Sequence, residues 1–369
     1  MGVEITYLII ARESRSASAL ARCTNADLWR IMVCVIKLMR DSLRRFAPRF
    51  ALILLVSRVG CLAAREMDRT SAAVRAPEVI TSPLGKTMVL KFHDEFEPVR
   101  DGDGTPYIDR AKWQTTFWQG TNERTLSGNR EAQDYIDKDY AVQRGVSEPE
   151  KLNPFSFEKT GILTIKAWRV PSALWKKLSM TNEHSFASGL LISDKRYAFK
   201  YGYVEGRFKL PGNRGAWPAF WLLVDDTSKT DPITAHAWPP EMDVFEFFGH
   251  RPMKHSAGII GIKGEKLNWN FGYNETGFDI SKDFHTWGLE WNADQIVLTF
   301  DGKIWARSNT PESLQRPMYL LINLAVGGKW YSEEMAKAGT PFKPWEVDEA
   351  SMPWKMECDY VRVYQEKMQ

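Results

Sequence analysis

Cysteine is scarce in this chain and unevenly placed: of four, Cys23, Cys34 and Cys61 precede residue 67 and only Cys358 follows it. One cysteine builds neither a disulfide framework nor a thiolate metal site, so most of the chain must be held by a packed core. Cys358 alternates with Tyr360, Arg362 and Tyr364 in MECDYVRVY, which reads as a structural position in a strand. Long apolar runs are missing as well. The run from Phe50 to Ser57 falls well short of the roughly 20 residues a membrane-spanning helix needs. Beyond residue 85 no amphipathic helical pattern lasts three turns, and neither a repeat nor a linker divides the chain. A basic surplus is also absent from the bulk of the protein. Residues 1–66 hold 11 Lys and Arg against 5 Asp and Glu, leaving 38 against 41 for the rest, so nothing there suggests nucleic acid as a partner.

The basic N-terminal segment contains SLRRFAPRFALILLVSRVGCLAARE, with Arg44, Arg45 and Arg49 before the apolar run and Ala63 and Ala64 after it. This order resembles a secretory signal peptide. The expected organisation is an N-terminal extension and signal peptide over residues 1–66, with Met39 as an alternative start, a short linker over 67–87, and one catalytic domain over 88–369. A secreted or periplasmic protein with no membrane segment after signal removal follows. Cys61, after Val59-Gly60, offers lipoprotein anchoring as the less favoured alternative, because Arg58 suits that cleavage site poorly.

What the chain does have is aromatic residues, with fourteen of its fifteen Trp at or after Trp113, and short runs of period two broken by Gly, Pro, Asn and Asp. In KYGYVEGRFKLPG, Gly202, Val204, Gly206, Phe208 and Leu210 fall on one face and Tyr201, Tyr203, Glu205, Arg207 and Lys209 on the other. QIVLTF, Asp301-Gly302 and KIWAR form a hairpin signal, since Asp-Gly supplies the positive φ of a tight primed turn. Many such runs over one long domain predict an all-β sandwich of two antiparallel sheets. Residues 225–240 and 331–354 read as surface loops long enough to border a cleft.

PPEMDVFEFFGH, residues 239–250, is the unusual stretch: Glu241, Asp243 and Glu246 stand among Met242, Val244, Phe245 and Phe247. At about 100° per residue a helix would place the three acids near 0°, 200° and 140°, on no common face. A regular strand puts Glu241 and Asp243 together and Glu246 opposite; one extra residue in a β-bulge returns Glu246 to their side. Three carboxylates on one face repel one another and persist only with a metal, a shared proton or a function. A solvated outer face or an inward charge that blunts an edge strand is the alternative. His250 and His255 lack metal-ligand spacing relative to the acids. A retaining glycosidase requires two carboxyl groups close together, one as nucleophile and one as acid and base, and two on one strand face can supply them.

EMDVFE resembles the Glu-x-Asp-x-x-Glu signature of glycoside hydrolase family 16 in its bulged form. SGLLISDKRYAFKYGYVEGRFKLPGNRGAWPAFWLL, DFHTWGLEWNADQIVLTFDGK, LINLAVGGKW and DYVRVYQ are similar to that family's segments in its order, with FHDEFE and SGNREAQDYID before them. The resemblance spans residues from about 88 to 366. It implies a concanavalin A-like β-jelly-roll sandwich with a concave substrate cleft and a monomeric, retaining endo-hydrolase of a β-linked polysaccharide. It implies Glu241 as nucleophile, Asp243 as the residue that orients it, and Glu246 as acid and base. For substrate binding it points to Trp217, Trp221, Asn129 and Glu131, then to Trp287, Trp291 and His255, with core packing as the competing role for each Trp and for His255. No cofactor is expected for catalysis; a structural calcium is implied on the convex side, with Asp359 and the acids of FHDEFE as ligand candidates. RTLSGNREAQDYID is similar to bacterial glycanases acting on β-glucans or exopolysaccharides. The alternatives are a red-algal galactan hydrolase, against which the net charge of the domain weighs unless Arg124, Arg130 and Arg214 form a local patch, and a non-catalytic carbohydrate-binding protein.

Overall fold

The computed structural model describes residues 76–117, 124–159, 161–225, 240–261, 270–337, 339, 343 and 345–367. The expected signal peptide, and most of the 225–240 loop, lie outside the described residues. The compact unit that contains the rest runs Ala73–Gln369.

Alternation of apolar and polar residues dictates two sheets packed face to face, and two large sheets form, beside a two-stranded one that pairs Val99–Arg100 with Pro106–Tyr107. The larger has eleven strands, among them Gly202–Lys209, His285–Trp291, Gln295–Phe300, Lys303–Asn309, Thr87–Asp94, Ile162–Arg169 and Trp354–Glu366. The second has seven, ordered Ala198–Phe199, Met318–Val326, Ala216–Val224, Glu241–Glu246, Lys254–Ile260 and Asn270–Glu275, with Leu190–Ile192 also paired to Met318–Val326. Pairing is antiparallel except between Gln133–Tyr135 and Phe186–Ser188. The main core fills the space between the sheets: Val204 and Phe208 of one meet Phe220, Leu222, Met242, Val244, Phe245 and Ile322 of the other. The sandwich expected from the periodicity, and the jelly roll that the resemblance implies, are therefore present. The Asp301-Gly302 turn has φ of 46° and 74°, as the hairpin requires.

The structure departs from the expected layout in two places. Val79–Thr81, in the segment expected as a linker, is a strand paired with Thr87–Asp94. The buried Glu290 explains why this segment docks: its carboxylate accepts from Ser82 Oγ and Leu84 N, both at 2.8 Å, and without them the charge would be buried unpaired. Within 331–354, expected as loop, the helix Lys329–Lys337 starts at Lys329 and runs on to Lys337. It is anchored by fully buried Tyr331, whose ring meets Phe248 at 5.6 Å and whose hydroxyl accepts from Gly215 N at 2.6 Å.

Trp287 illustrates what holds the layers together. It is fully buried, with its ring centroid 4.5 Å from Phe245 and 5.4 Å from Phe300, so it bridges the acid strand's sheet and its partner. Trp287→Ala is expected to lower the unfolding free energy by about 3–5 kcal/mol, measured by chemical denaturation. An unchanged stability would remove Trp287 from the core of this account.

Candidate active site

The acid strand Glu241–Glu246 lies between Ala216–Val224 and Lys254–Ile260. Against Ala216–Val224 its register runs Leu223↔Glu241, Leu222↔Met242 and Trp221↔Asp243, then jumps to Phe220↔Phe245 and Ala219↔Glu246. Val244 is the residue left over, and the register to Lys254–Ile260 shifts across the same interval. The bulge has the effect deduced from the sequence. Met242, Val244, Phe245 and Phe247 all enter the main core, and Glu241, Asp243 and Glu246 share the opposite face with Ala219, Trp221 and Leu223.

Four register steps separate Glu241 from Glu246, about 13 Å between α-carbons at roughly 3.3 Å per residue. Asp243 sits at the midpoint. Glutamates at the two ends have the reach to converge above the shorter aspartate. Burial, then the negative charges of Glu241 and Glu246, raise the Asp243 pKa well above the usual carboxylate range, and a hydrogen bond with Glu241 acts the same way. The surroundings therefore favour the protonated form of Asp243. Glu246 accepts a hydrogen bond from Trp217 Nε1 at 3.1 Å, and its backbone carbonyl accepts from Ser256 Oγ at 3.4 Å.

One side of this cluster carries a connected polar wall. Trp221 Nε1 donates to Asn323 Oδ1 at 2.8 Å, Asn323 Nδ2 donates to Tyr135 OH at 2.8 Å, and Tyr135 OH donates to Glu131 Oε2 at 3.2 Å. Glu131 also accepts from Asn129 Nδ2 at 3.0 Å and Gln133 Nε2 at 2.7 Å. Burial raises the Glu131 pKa, against the lowering by these three donors. Gly328 lets the wall close up: a Cβ there would lie 3.1 Å from Trp217 Cζ3 and 3.5 Å from Glu131 Cγ.

The structure thus brings together seven of the residues named from the sequence: Glu241, Asp243, Glu246, Trp217, Trp221, Asn129 and Glu131. It does not bring in Trp287, Trp291 or His255, and these three are corrected to core residues. Trp287 is sealed between the sheets, and Trp291 packs on Phe199 at 4.9 Å with about 1% of its surface exposed. His255 follows from parity: Ser256 pairs with Glu246 on the cleft face, so its neighbour points into the core. There it sits between Trp287, Phe300 and Trp305, accepts from Asn274 Nδ2, and is kept neutral by burial, which pulls its pKa down to about 3. Asn323, Tyr135, Gln133 and Ser256 were missed. Asn323 alone had a signal, as the one polar side chain within the apolar run MYLLINLAV.

Three of the acids named for the implied calcium are engaged by other side chains in this structure. Asp359 is taken by Arg207, Glu95 by Arg362, and Asp94 by Trp113 and Lys112. Among the described residues no group of three acidic, His or Cys side chains could hold a metal ion. Arg124, one of the three arginines of the expected patch, is committed to Asp137 at 3.1 Å and to the Tyr140 ring.

A jelly-roll sandwich with three carboxylates on one sheet face beside Trp and amide side chains has the architecture of a polysaccharide-active protein. The profile of glycosyl hydrolases family 16 matches residues 161–343. An endo-1,3-1,4-beta-glycanase of Rhizobium meliloti, EglC, is 33% identical over 284 residues, 74% of this chain and 51% of that protein. The chain spans about half the length of that relative. Among solved structures, the endo-beta-1,3-glucanase of Pyrococcus furiosus superposes with a TM-score of 0.59 at 25% identity, covering 80% of this chain and 100% of that one. SCLam, a non-specific endo-beta-1,3(4)-glucanase, gives 0.57 at 26%, covering 80% of this chain and 98% of that one. The chain belongs to glycoside hydrolase family 16.

Asn323→Ala is expected to remove one hydrogen bond each from the buried Trp221 Nε1 and Tyr135 OH, and to lower stability by about 1–3 kcal/mol in chemical denaturation. Wild-type stability would mean that the wall is not a connected network.

Proposed function

We propose that the protein is a retaining endo-hydrolase of a β-glucan with 1,3 or mixed 1,3-1,4 linkages, or of a bacterial exopolysaccharide built on such linkages. The observation that carries this reading is the bulge at Val244, which turns Glu246 onto the face of Glu241 and Asp243. A protein that only bound glycans would gain nothing from keeping three mutually repelling acids there. The β-glucan reading is further supported by the activities of the relatives and by the engagement of Arg124, one of the three arginines the galactan alternative would draw on.

With the proton on Asp243, Glu241 is left as the anion able to attack the anomeric carbon. Glu246, which enters this step carrying its own proton, gives that proton to the leaving glycosidic oxygen, so one C–O bond breaks as the bond to Glu241 forms. Glu246, now a carboxylate, takes a proton from water, and the hydroxide so generated displaces Glu241 from the sugar. Trp217, hydrogen-bonded to Glu246, supplies an aromatic face for a pyranose beside the acid, and Asn129 and Glu131 meet sugar hydroxyls. All these groups come from one chain, which suits a monomer. A polymer substrate suits a secreted or periplasmic location, and among the described residues no helix is long and apolar enough to cross a membrane.

The test is product analysis with β-1,3-glucan, mixed-linkage β-glucan, an acidic bacterial exopolysaccharide, agarose and carrageenan. Short oligosaccharides from one of the first three are expected; products from agarose or carrageenan alone would overturn the substrate assignment. Glu246→Gln should lower polymer turnover by about 10²–10⁴-fold yet still release an activated aryl leaving group, which needs no proton. Glu241→Gln should lose both reactions, and wild-type turnover in either variant would refute the roles.

A further inference from the structure

His184 closes the turn Thr181–His184, which precedes the strand Phe186–Ser188 alongside Gln133–Tyr135. Its Nδ1 lies 3.1 Å from the backbone oxygen of Glu131 and its Nε2 2.7 Å from Asp134 Oδ1. One partner is a carbonyl and the other a carboxylate, so both accept. A neutral imidazole has a single N–H and can serve only one of them. Both contacts are made together only by the imidazolium.

The tie reaches the cleft through the main chain. Glu131 is bridged to Gly327 on the other side, and its side chain collects the donors of Asn129, Gln133 and Tyr135. Loosening its carbonyl therefore moves the carboxylate relative to Trp217 and Gly328. We propose that His184 is a positioning residue for the sugar-binding wall, whose protonated ring holds the Glu131 carboxylate in aim, so that glycan affinity falls when the ring loses its proton. This rests on the reading of the cleft as glucan-binding.

Burial works to lower the His184 pKa, but the hydrogen bond and charge of Asp134, with Glu131, outweigh it and raise the value. The other charged groups nearby are already engaged: Arg169 binds Asn182 and Glu349, and the charge of Asp134 also acts on Tyr140. With a raised folded pKa, the tie is fully present below the ordinary imidazole value near 6.5 and is lost as pH rises through the folded value.

Calorimetric titration with a β-1,3-gluco-oligosaccharide tests this at pH 5.5 and pH 8.5, on Glu241→Gln protein so that the ligand survives, with and without His184→Gln. In the parent, Kd should rise about 5-fold or more at the higher pH, the equivalent of one net hydrogen bond of about 1 kcal/mol. With His184→Gln, Kd should be weak at both pH values. Asp134→Asn should move the weakening to lower pH, and it decides the matter if His184→Gln does not fold. A merely structural histidine would lower Tm and leave the pH dependence of Kd unchanged; that result, or no pH dependence in the parent, overturns the inference. Turnover of the unsubstituted protein on the same oligosaccharide reports separately on the hydrolytic reading: turnover without pH-dependent binding rejects the His184 role alone.

Discussion

Three carboxylates confined to one buried strand face are the constraint around which the rest of the site is arranged. Like charges this close in a poorly hydrated site cannot all ionise. The strand eases the repulsion by favouring the protonated form of the middle residue, Asp243, between glutamates that can then differ in role. An aspartate at the centre is short enough to stay close to the sheet while the flanking glutamates reach over it. The extra residue Val244 makes this possible, because the same insertion that turns Glu246 outward sends Val244 and Phe245 into the core. Charge on one face and packing on the other are set by one irregularity.

The packing behind that strand is aromatic. Phe245 meets Trp287, Phe208 and Phe220, which fixes the strand's height and twist from the core side. On the cleft side, the chain from Trp221 through Asn323 and Tyr135 to Glu131 ties three neighbouring segments by hydrogen bonds between buried groups. Such a network is costly to break at any one point, since each loss leaves a partner buried and unsatisfied. Rigidity at the acids and at the sugar-binding wall therefore has two separate physical sources.

The sandwich, the Asp301-Gly302 hairpin, the bulge and the face shared by the three acids were all legible in the sequence, because a period of two and its single interruption are local properties. The helix Lys329–Lys337 was not, since its anchor is a single buried side chain, Tyr331, and its other positions are largely polar. The docking of Val79–Thr81 was missed because its cause, the buried Glu290, lies over two hundred residues away. Trp287, Trp291 and His255 show the limit at the site itself. Their strands were correct, but which face looks into the sandwich depends on register to neighbours, and aromatic residues suit a core as well as a cleft. His255 could have been placed by counting from Ser256, had the pairing of Ser256 with Glu246 been known.

The central claim is that Glu241 and Glu246 act from one face in two successive displacements. The most direct measurement is the anomeric configuration of the first product, followed by proton nuclear magnetic resonance during the earliest turnover of a soluble β-glucan. The account predicts that the new reducing end appears first as the β-anomer, with the α-anomer growing in only by mutarotation. Initial release of the α-anomer would mean a single displacement by water, and the assignment of Glu241 as a nucleophile would be wrong.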